Sequence, residues 1–523
     1  MYYDAKTRSL VLLVEDPFAV RELIPRSRII NHPQFNLVVQ YTDTSARLLR
    51  NLGIPIPAPI QLTYDWPGKY TPWSHQREMA EYVTRYQRVF NLSDMGTGKS
   101  AATLWAADYL MKTKVIKKAL IVSPLSTLER VWMHDVFDIL MHRSAVVVHG
   151  TREQRLTALK HDVDFYILNH DGLSIPPVAE AIRRHPDIGL VVIDEASKFR
   201  NHDTRKYKAL VKMLRPDMRL WLLTATPCPN NPTDAWALAR LVSPQRVPQF
   251  FGAFKRQTMA QVSTFKWVAK PDAYVHAFNA MQPAVRFEKS QCLDLPPVTY
   301  KERQAGLTAE QREAYETMRK TMQVEAQETQ ITAVNAADRL TKLRQILCGA
   351  VKDPATDAYV VLPHEPRLNA LLDVIAEARA KVIVVVPFKG ILQSLTEEVG
   401  AHYSVAMMNG DVSINQRNRI VTAFKSGAEP RVLLCHPEVM SHGLNLTEAD
   451  VTVFYAPIYS NDQFQQVTER MNRAGQVNKM TVVKIGAMPL EWEIYRALDG
   501  SQKQQTSTLD LYKLALADIT PTT

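Results

Sequence analysis

Apolar residues fall in short β-branched runs, each followed by a polar turn and then by a helix-like pattern. In the first half the runs are Ala119–Val122, Ala145–Val148, Phe165–Leu168, Leu190–Ile193 and Leu220–Leu223. In the second half they are Val382–Val386, Val405–Met408, Arg431–Cys435, Val451–Tyr455 and Thr481–Ile485. A strand with one wet face would alternate apolar and polar residues. Runs this continuous suit strands covered on both faces, the mark of a parallel α/β sheet. Two such sets predict two α/β lobes.

Between the sets the pattern changes. Leu307–Leu347 reads as long helices rich in Ala, Glu, Gln, Met and Arg, including KLRQIL at 342–347. The first stretch carries strand-like Leu10–Val14 and Phe35–Gln40 and ends in the proline-rich IPIPAPI at 54–60, a stiff linker by composition. The predicted organisation is a small N-terminal α+β domain with its linker over 1–66, a first lobe over 67–240 and a helical insertion over 241–345. A second lobe over 346–490 and a helical tail over 491–523 follow. A chain of 523 residues has room for them, since domains run roughly 100–200 residues.

Composition narrows the function classes. Lys and Arg number 63 against 53 Asp and Glu, a net charge of +10. A merely basic soluble protein could carry this balance, and so could a protein whose partner is made of phosphates. The four cysteines, Cys228, Cys292, Cys348 and Cys435, form no C-x-x-C pair, so the spacing offers no zinc clip or disulfide frame and fits a reducing cytoplasm. No apolar stretch approaches the roughly 20 residues of a membrane span, and no signal peptide is visible at the N-terminus.

The strongest local signal is SDMGTGKS at 93–100, after the apolar Val89–Leu92 and before the helical AATLWAADYL. A glycine-rich turn entering a helix presents backbone N–H groups to phosphate oxygens, and the helix dipole favours their charge. Met95, Gly96, Thr97, Gly98, Lys99 and Ser100 are the expected nucleotide contacts. Among them Lys99 is to reach the β- and γ-phosphates of ATP and Ser100 to ligate Mg2+. Ser93 stands where the eight-residue pattern wants glycine. VVIDEASKFRN at 191–201 places two carboxylates after an apolar strand. Asp194 is to hold Mg2+, and Glu195 to orient and deprotonate the attacking water.

With these motifs in order, the chain resembles the superfamily-two helicases. Within them it is most similar to Swi/Snf-type DNA translocases, over about 70–485, and in its compact layout to members encoded by bacteriophages. The resemblance implies two tandem RecA-like lobes that hydrolyse ATP in the cleft between them. YTPWSHQ at 70–76 then makes Gln76 the reader of the adenine edge. LIVSPLSTLERVW at 120–132 and ILNHDGL at 167–173 imply nucleic-acid contacts at Ser123, Thr127 and Asn169. WLLTATPCPNNPTDAW at 221–236 adds Thr224, Thr226, Asn230 and Asn231. In the second lobe MMNGDVSINQRNRIVTAF implies Gly410 and Arg417, and HGLNLTEAD implies Asn445 and Thr447. In QVTERMNRAGQ at 466–476, Gln466, Arg470 and Arg473 are spaced to share one helix face. Gln466 is to touch nucleotide, and the arginines are to offset transition-state charge. The chain departs from the family pattern at Ser197, where many relatives have histidine, at Ala225, where many have glycine, and at Ser441 and His442, in place of a glycine run.

The expected activity is a DNA-dependent ATPase using ATP and Mg2+, acting as a monomer in the cytoplasm (of the host, for a phage protein). Its expected track is duplex or forked DNA in preference to single strands or RNA, in fork remodelling, strand annealing or branch migration. The alternatives are a strand-separating helicase, and a nucleic-acid clamp or motor subunit that turns over little without a partner protein.

Overall fold

The computed structural model describes residues 1–228, 231–262, 267–292, 296–328, 333–353, 356, 358–440, 446–469, 471–472, 476 and 478–498. The chain divides into two compact units, Met1–Cys292 and Leu293–Thr523. That boundary falls inside the 241–345 stretch read as one helical insertion.

The first unit opens with a four-stranded antiparallel sheet in the order Tyr2–Asp4, Ser9–Leu12, Phe35–Gln40, Arg28–His32. Leu10, Leu12, Leu37 and Val39 pack its inner face against Val20 and Leu49 from helices Pro17–Leu23 and Asp43–Asn51. The proline-rich segment that follows is not a free spacer. Ile56 joins this small core, whereas Ala58, Ile60 and Tyr64 join the core of the next layer. Tyr109 Oη donates to Asp43 Oδ2 (3.0 Å) and Gln61 to Glu81 (2.8 Å), tying the two parts together.

The main sheet of the first unit has seven strands, all paired in parallel. Its order is Ala284–Val285, Arg88–Asn91, Arg219–Leu223, Ile188–Ile193, Lys118–Ser123, Phe165–Asn169, Ala145–Val148. Its central strands are buried on both faces, as their continuous apolar runs require. The Ala284–Val285 strand was not foreseen: two residues are too few to show a period. The second unit holds a six-stranded parallel sheet in the order Val298–Gln304, Met480–Gly486, Ala449–Phe454, Lys381–Val385, Val432–Cys435, Val405–Met408. The edge strand Val298–Gln304 is mostly polar and largely exposed, which hid it in the sequence. Helices Ala309–Glu328 and Ala333–Cys348 pack in this unit, with Leu340, Leu343 and Leu347 in its core. Both lobes are therefore mixed α/β with parallel sheets, as expected. Among the described residues no helix is long and apolar enough to cross a membrane.

Candidate active site

Five neighbouring strands of the first unit carry the predicted segments at their C-terminal ends. Arg88–Asn91 leads into the glycine-rich loop, Arg219–Leu223 into Thr224–Thr226, and Ile188–Ile193 into Asp194–Glu195. Lys118–Ser123 leads into Leu125–Thr127, and Phe165–Asn169 into His170–Ser174. In a parallel sheet the carboxyl ends of the strands are where ligands gather, because the loops and helix N-termini that follow all open on that edge.

The loop has the conformation its sequence demands. Gly96 and Gly98 take φ of +82° and +80°, in the left-handed region that L side chains avoid. A Cβ at Gly98 would lie 2.0 Å from Gln76 Nε2. Helix Lys99–Lys112 starts at the loop's end, so its N-terminal N–H groups and dipole face the same place. Lys99 Nζ donates to Ser93 O (2.6 Å) and Asp94 O (2.8 Å), and Thr97 Oγ1 to Asp94 O (2.8 Å). Ser100, the next residue, is half-buried. Ser93, the departure from the glycine pattern, is fully buried, and its hydroxyl accepts the Phe287 N–H at 3.1 Å. Asp94 donates its own N–H to Phe287 O (2.9 Å) and accepts the Lys289 N–H on Oδ2 (3.0 Å). The returning 284–289 segment therefore clamps the loop from outside, a role that sequence reading missed.

Gln76 is buried, with Oε1 accepting the Trp73 N–H (3.0 Å) and Nε2 facing Thr97 O (3.5 Å). Its neighbour His75, not singled out in the sequence, is 3.0 Å from Thr97 O through Nε2. Burial pushes its pKa below the ordinary imidazole value.

Asp194 is held from four sides. Its N–H donates to Val122 O (2.8 Å), its carbonyl lies 2.8 Å from His170 Nε2, Oδ1 accepts the Glu195 N–H (3.0 Å), and Oδ2 accepts the Trp132 indole N–H (3.0 Å). Burial pushes the Asp194 carboxyl upward, while the Trp132 donor, the Lys99 charge and the Glu195 N–H oppose that shift. Glu195 sits in the left-handed region at φ 50° and ψ 49°, uncommon for a residue with a Cβ. Asp135 is a further acid nearby, pushed up to about 7 by burial and by the charges of Asp138 and Asp194. Oxygen donors such as Asp194 and Ser100 suit a hard divalent cation. A buried carboxyl displaced upward is one that a cation would return to its charged form, so these residues fit Mg2+.

The other predicted contacts are placed as follows. The Ser123 hydroxyl is buried without a hydrogen-bond partner. Thr127 turns its hydroxyl onto Pro124 O (2.9 Å). The Asn169 amide is buried and accepts from Arg155 Nη1 (2.8 Å), an internal brace. Thr224 is buried, donates its N–H to Asn91 O (3.1 Å) and accepts the Thr226 N–H on Oγ1 (3.2 Å). Asn231 caps the following turn through Thr233 N (3.2 Å). Ser197 is buried, and its hydroxyl has no hydrogen-bond partner. Arg200 links its turn to the 224–234 stretch: it donates to Ser197 O (3.1 Å) and lies 3.8 Å from Asp234 Oδ2.

In the second unit Arg417 donates to Asn409 O and Gly410 O (3.0 Å each), holding the turn after the Val405–Met408 strand. Gln476 is buried and donates to Thr447 O (3.1 Å) and Ala449 O (3.2 Å). Gln466 is buried on helix Asn461–Thr468. Asn230, Asn445, Arg470 and Arg473 lie outside the described residues.

Residues 75–352 match the SNF2-related domain family, and residues 366–475 match the helicase conserved C-terminal domain. The chain is 24% identical over 425 residues to a putative protein p41 of Acyrthosiphon pisum secondary endosymbiont phage 1, covering 78% of this chain and 90% of that protein. It is 27% identical to an uncharacterized ATP-dependent helicase of Mycoplasma genitalium, covering 75% of this chain and 37% of the relative. It is 23% identical to an ATP-dependent DNA helicase of Arabidopsis thaliana, covering 75% of this chain and 55% of the relative. A solved Sulfolobus solfataricus SWI2/SNF2 ATPase core in complex with dsDNA is 20% identical, with a TM-score of 0.42, covering 87% of this chain and 97% of that one. The chain thus spans most of the phage protein but only about a third to a half of the two cellular relatives.

Proposed function

The chain belongs to the SNF2-related family of helicase-type ATPases, and on that premise we propose that it is a DNA-dependent motor that couples ATP hydrolysis to movement along duplex or forked DNA. The observation that carries this reading is the gathering of the phosphate loop, the Asp194–Glu195 pair and the Ser123, Asn169 and Thr224 segments at one edge of one parallel sheet. Lys99 and the loop N–H groups bind the phosphates. Ser100 and Asp194 are the residues that would hold Mg2+, which supplies charge neutralisation on the phosphates when bound. Glu195 takes the proton of the attacking water. Arg470 and Arg473 offset the charge that develops in the transition state, an effect worth ~10³–10⁵ in rate where such arginines are known. Contacts to phosphate and sugar rather than to base edges make movement independent of sequence. The Arabidopsis relative is a DNA helicase, and the charge of +10 on this chain suits a polyanionic track. Fork remodelling, strand annealing and branch migration are all compatible uses of such a motor.

Two variants test the assignment. Lys99→Ala is expected to abolish turnover while leaving the fold intact. Glu195→Gln is expected to keep nucleotide affinity and lose hydrolysis, because the amide preserves shape and cannot accept the proton. Near-normal turnover in a folded Lys99→Ala protein would remove the phosphate-loop assignment.

A further inference from the structure

The first unit buries several tryptophans, and their indole N–H groups are treated differently. Trp105 donates to Pro67 O (2.8 Å) and Trp236 to Pro248 O (2.9 Å). The Trp221 indole nitrogen is buried without a partner, so this fold tolerates an unsatisfied indole. Trp132 alone in this set donates to a carboxylate, Asp194 Oδ2, at 3.0 Å. Its ring is fully buried in the core formed by Ile121, Ile167 and Val192. It stands on an irregular run: a 3-10 turn over Leu125–Thr127, a π-helical turn over Leu128–Met133, then helix His134–Ile139. A π turn closes i→i+5 bonds rather than i→i+4, so it shifts the facing of every residue after it, and such turns concentrate at functional sites.

We propose that Trp132 is a positioning residue for the metal-binding carboxylate. Its indole N–H fixes the orientation in which Asp194 meets Mg2+. The inference rests on the proposed role of Asp194. Oδ1 is already engaged by the Glu195 N–H, so Trp132 completes a two-donor clamp that leaves each oxygen a lone pair for the cation. The clamp is anchored in the core rather than in a loop, because the ring that carries the donor cannot turn among its packed neighbours. Partners that orient a ligating group typically carry 10–100-fold of the metal affinity.

The test replaces the donor and keeps the shape. Trp132→Phe removes the N–H and some volume. Benzothienylalanine incorporated at 132 removes the N–H alone, since sulfur takes its place in an isosteric ring. Binding of a fluorescent non-hydrolysed ATP analogue is titrated against Mg2+ in the full chain, with Asp194→Asn as the reference. Binding without Mg2+ should be unchanged in both Trp132 variants, while the Mg2+ half-saturation rises by about tenfold or more. Wild-type half-saturation in the benzothienylalanine protein overturns the inference, including when Trp132→Phe is impaired, because the defect is then one of packing. If Asp194→Asn keeps a wild-type Mg2+ response, Asp194 is not the ligand and the underlying reading falls with the inference. If only the Trp132 variants keep it, that reading stands and the inference alone is lost.

Discussion

Gly98 concentrates the constraints on the phosphate loop in one residue. Its φ of +80° is strained for any other amino acid, and a methyl group there would run into the Gln76 amide. Gly98→Ala is therefore expected to displace the loop. Backbone strain of this kind is worth about 1–3 kcal/mol, so nucleotide should bind roughly tenfold more weakly or worse, since 1.4 kcal/mol is a factor of ten. Equilibrium titration with the ATP analogue measures this, and wild-type affinity would show that the loop tolerates a Cβ. Gly98, Lys99, Asp194 and Glu195 were legible in the sequence because chemistry fixes their types and short local spacing fixes their order. Trp132, His170 and the clamping 284–289 segment were not. Their link to the site depends on which strands lie side by side: Trp132 and His170 stood inside motifs quoted for other residues, and 284–289 fell in the stretch read as helical. Ser93 shows the converse: the sequence marked it as a departure, and only the fold shows that its hydroxyl is used.

At the scale of elements, strands buried on both faces were readable because burial on both faces leaves a continuous apolar run. The edge strand Val298–Gln304 and the two-residue Ala284–Val285 escaped because exposure and brevity erase that signal. In the second unit the start of helix Glu365–Glu377 is tied to helix Lys389–Gly400 by His364 Nε2, 3.0 Å from Glu398 Oε2. Burial lowers the His364 pKa, but the Glu398 hydrogen bond, the Leu362 carbonyl and the Glu398 charge together leave it raised above its usual value of 6.5. The His364 hydrogen bond holds the Glu398 carboxyl below its usual value of 4.5. A raised histidine contributes stability that is complete below the unfolded pKa and lost as pH climbs through the folded one. A depressed carboxylate contributes stability that is present above its unfolded pKa and lost as pH falls through the folded one. The pair should therefore be strongest between about pH 4.5 and 6.5 and weaken on either side. Thermal unfolding of wild type and His364→Gln across pH 5–9 checks this. The difference between them should shrink as pH rises, and a difference that stays constant with pH would mean that the pair contributes only through shape.

On the scale of the whole molecule, the remaining question is the track. The charge of +10 favours a polyanion without choosing which. The expectation of duplex DNA rests on three sequence features that resemble duplex-tracking motors: the Gly475-Gln476 ending of the last motif, the paired Asn230 and Asn231, and the helical stretch over 240–345. In the structure Gln476 is buried and donates to Thr447 O and Ala449 O, bracing the turn that leads into the Ala449–Phe454 strand. A motor that grips a duplex by its backbone should be stimulated by blunt duplex more than by a non-pairing single strand of equal length. The stimulation should also fall with salt, because neutralising Z phosphates of B-DNA releases counterions with a slope near −0.9Z in log affinity against log salt. A strand-separating helicase would grip one strand and need an overhang, so single-stranded DNA would stimulate it and blunt duplex would not. ATPase rates on blunt duplex, single strand, forked DNA and duplex RNA across a salt series separate these cases. Strong stimulation by the single strand with inert blunt duplex would sink the duplex-tracking proposal in favour of strand separation. A rate that no nucleic acid raises would point to a clamp or to a motor subunit waiting for a protein partner. If duplex DNA raises the rate and duplex RNA does not, the protein distinguishes the B-form backbone from the A-form one with its 2′-hydroxyls, which is a matter of groove shape rather than charge.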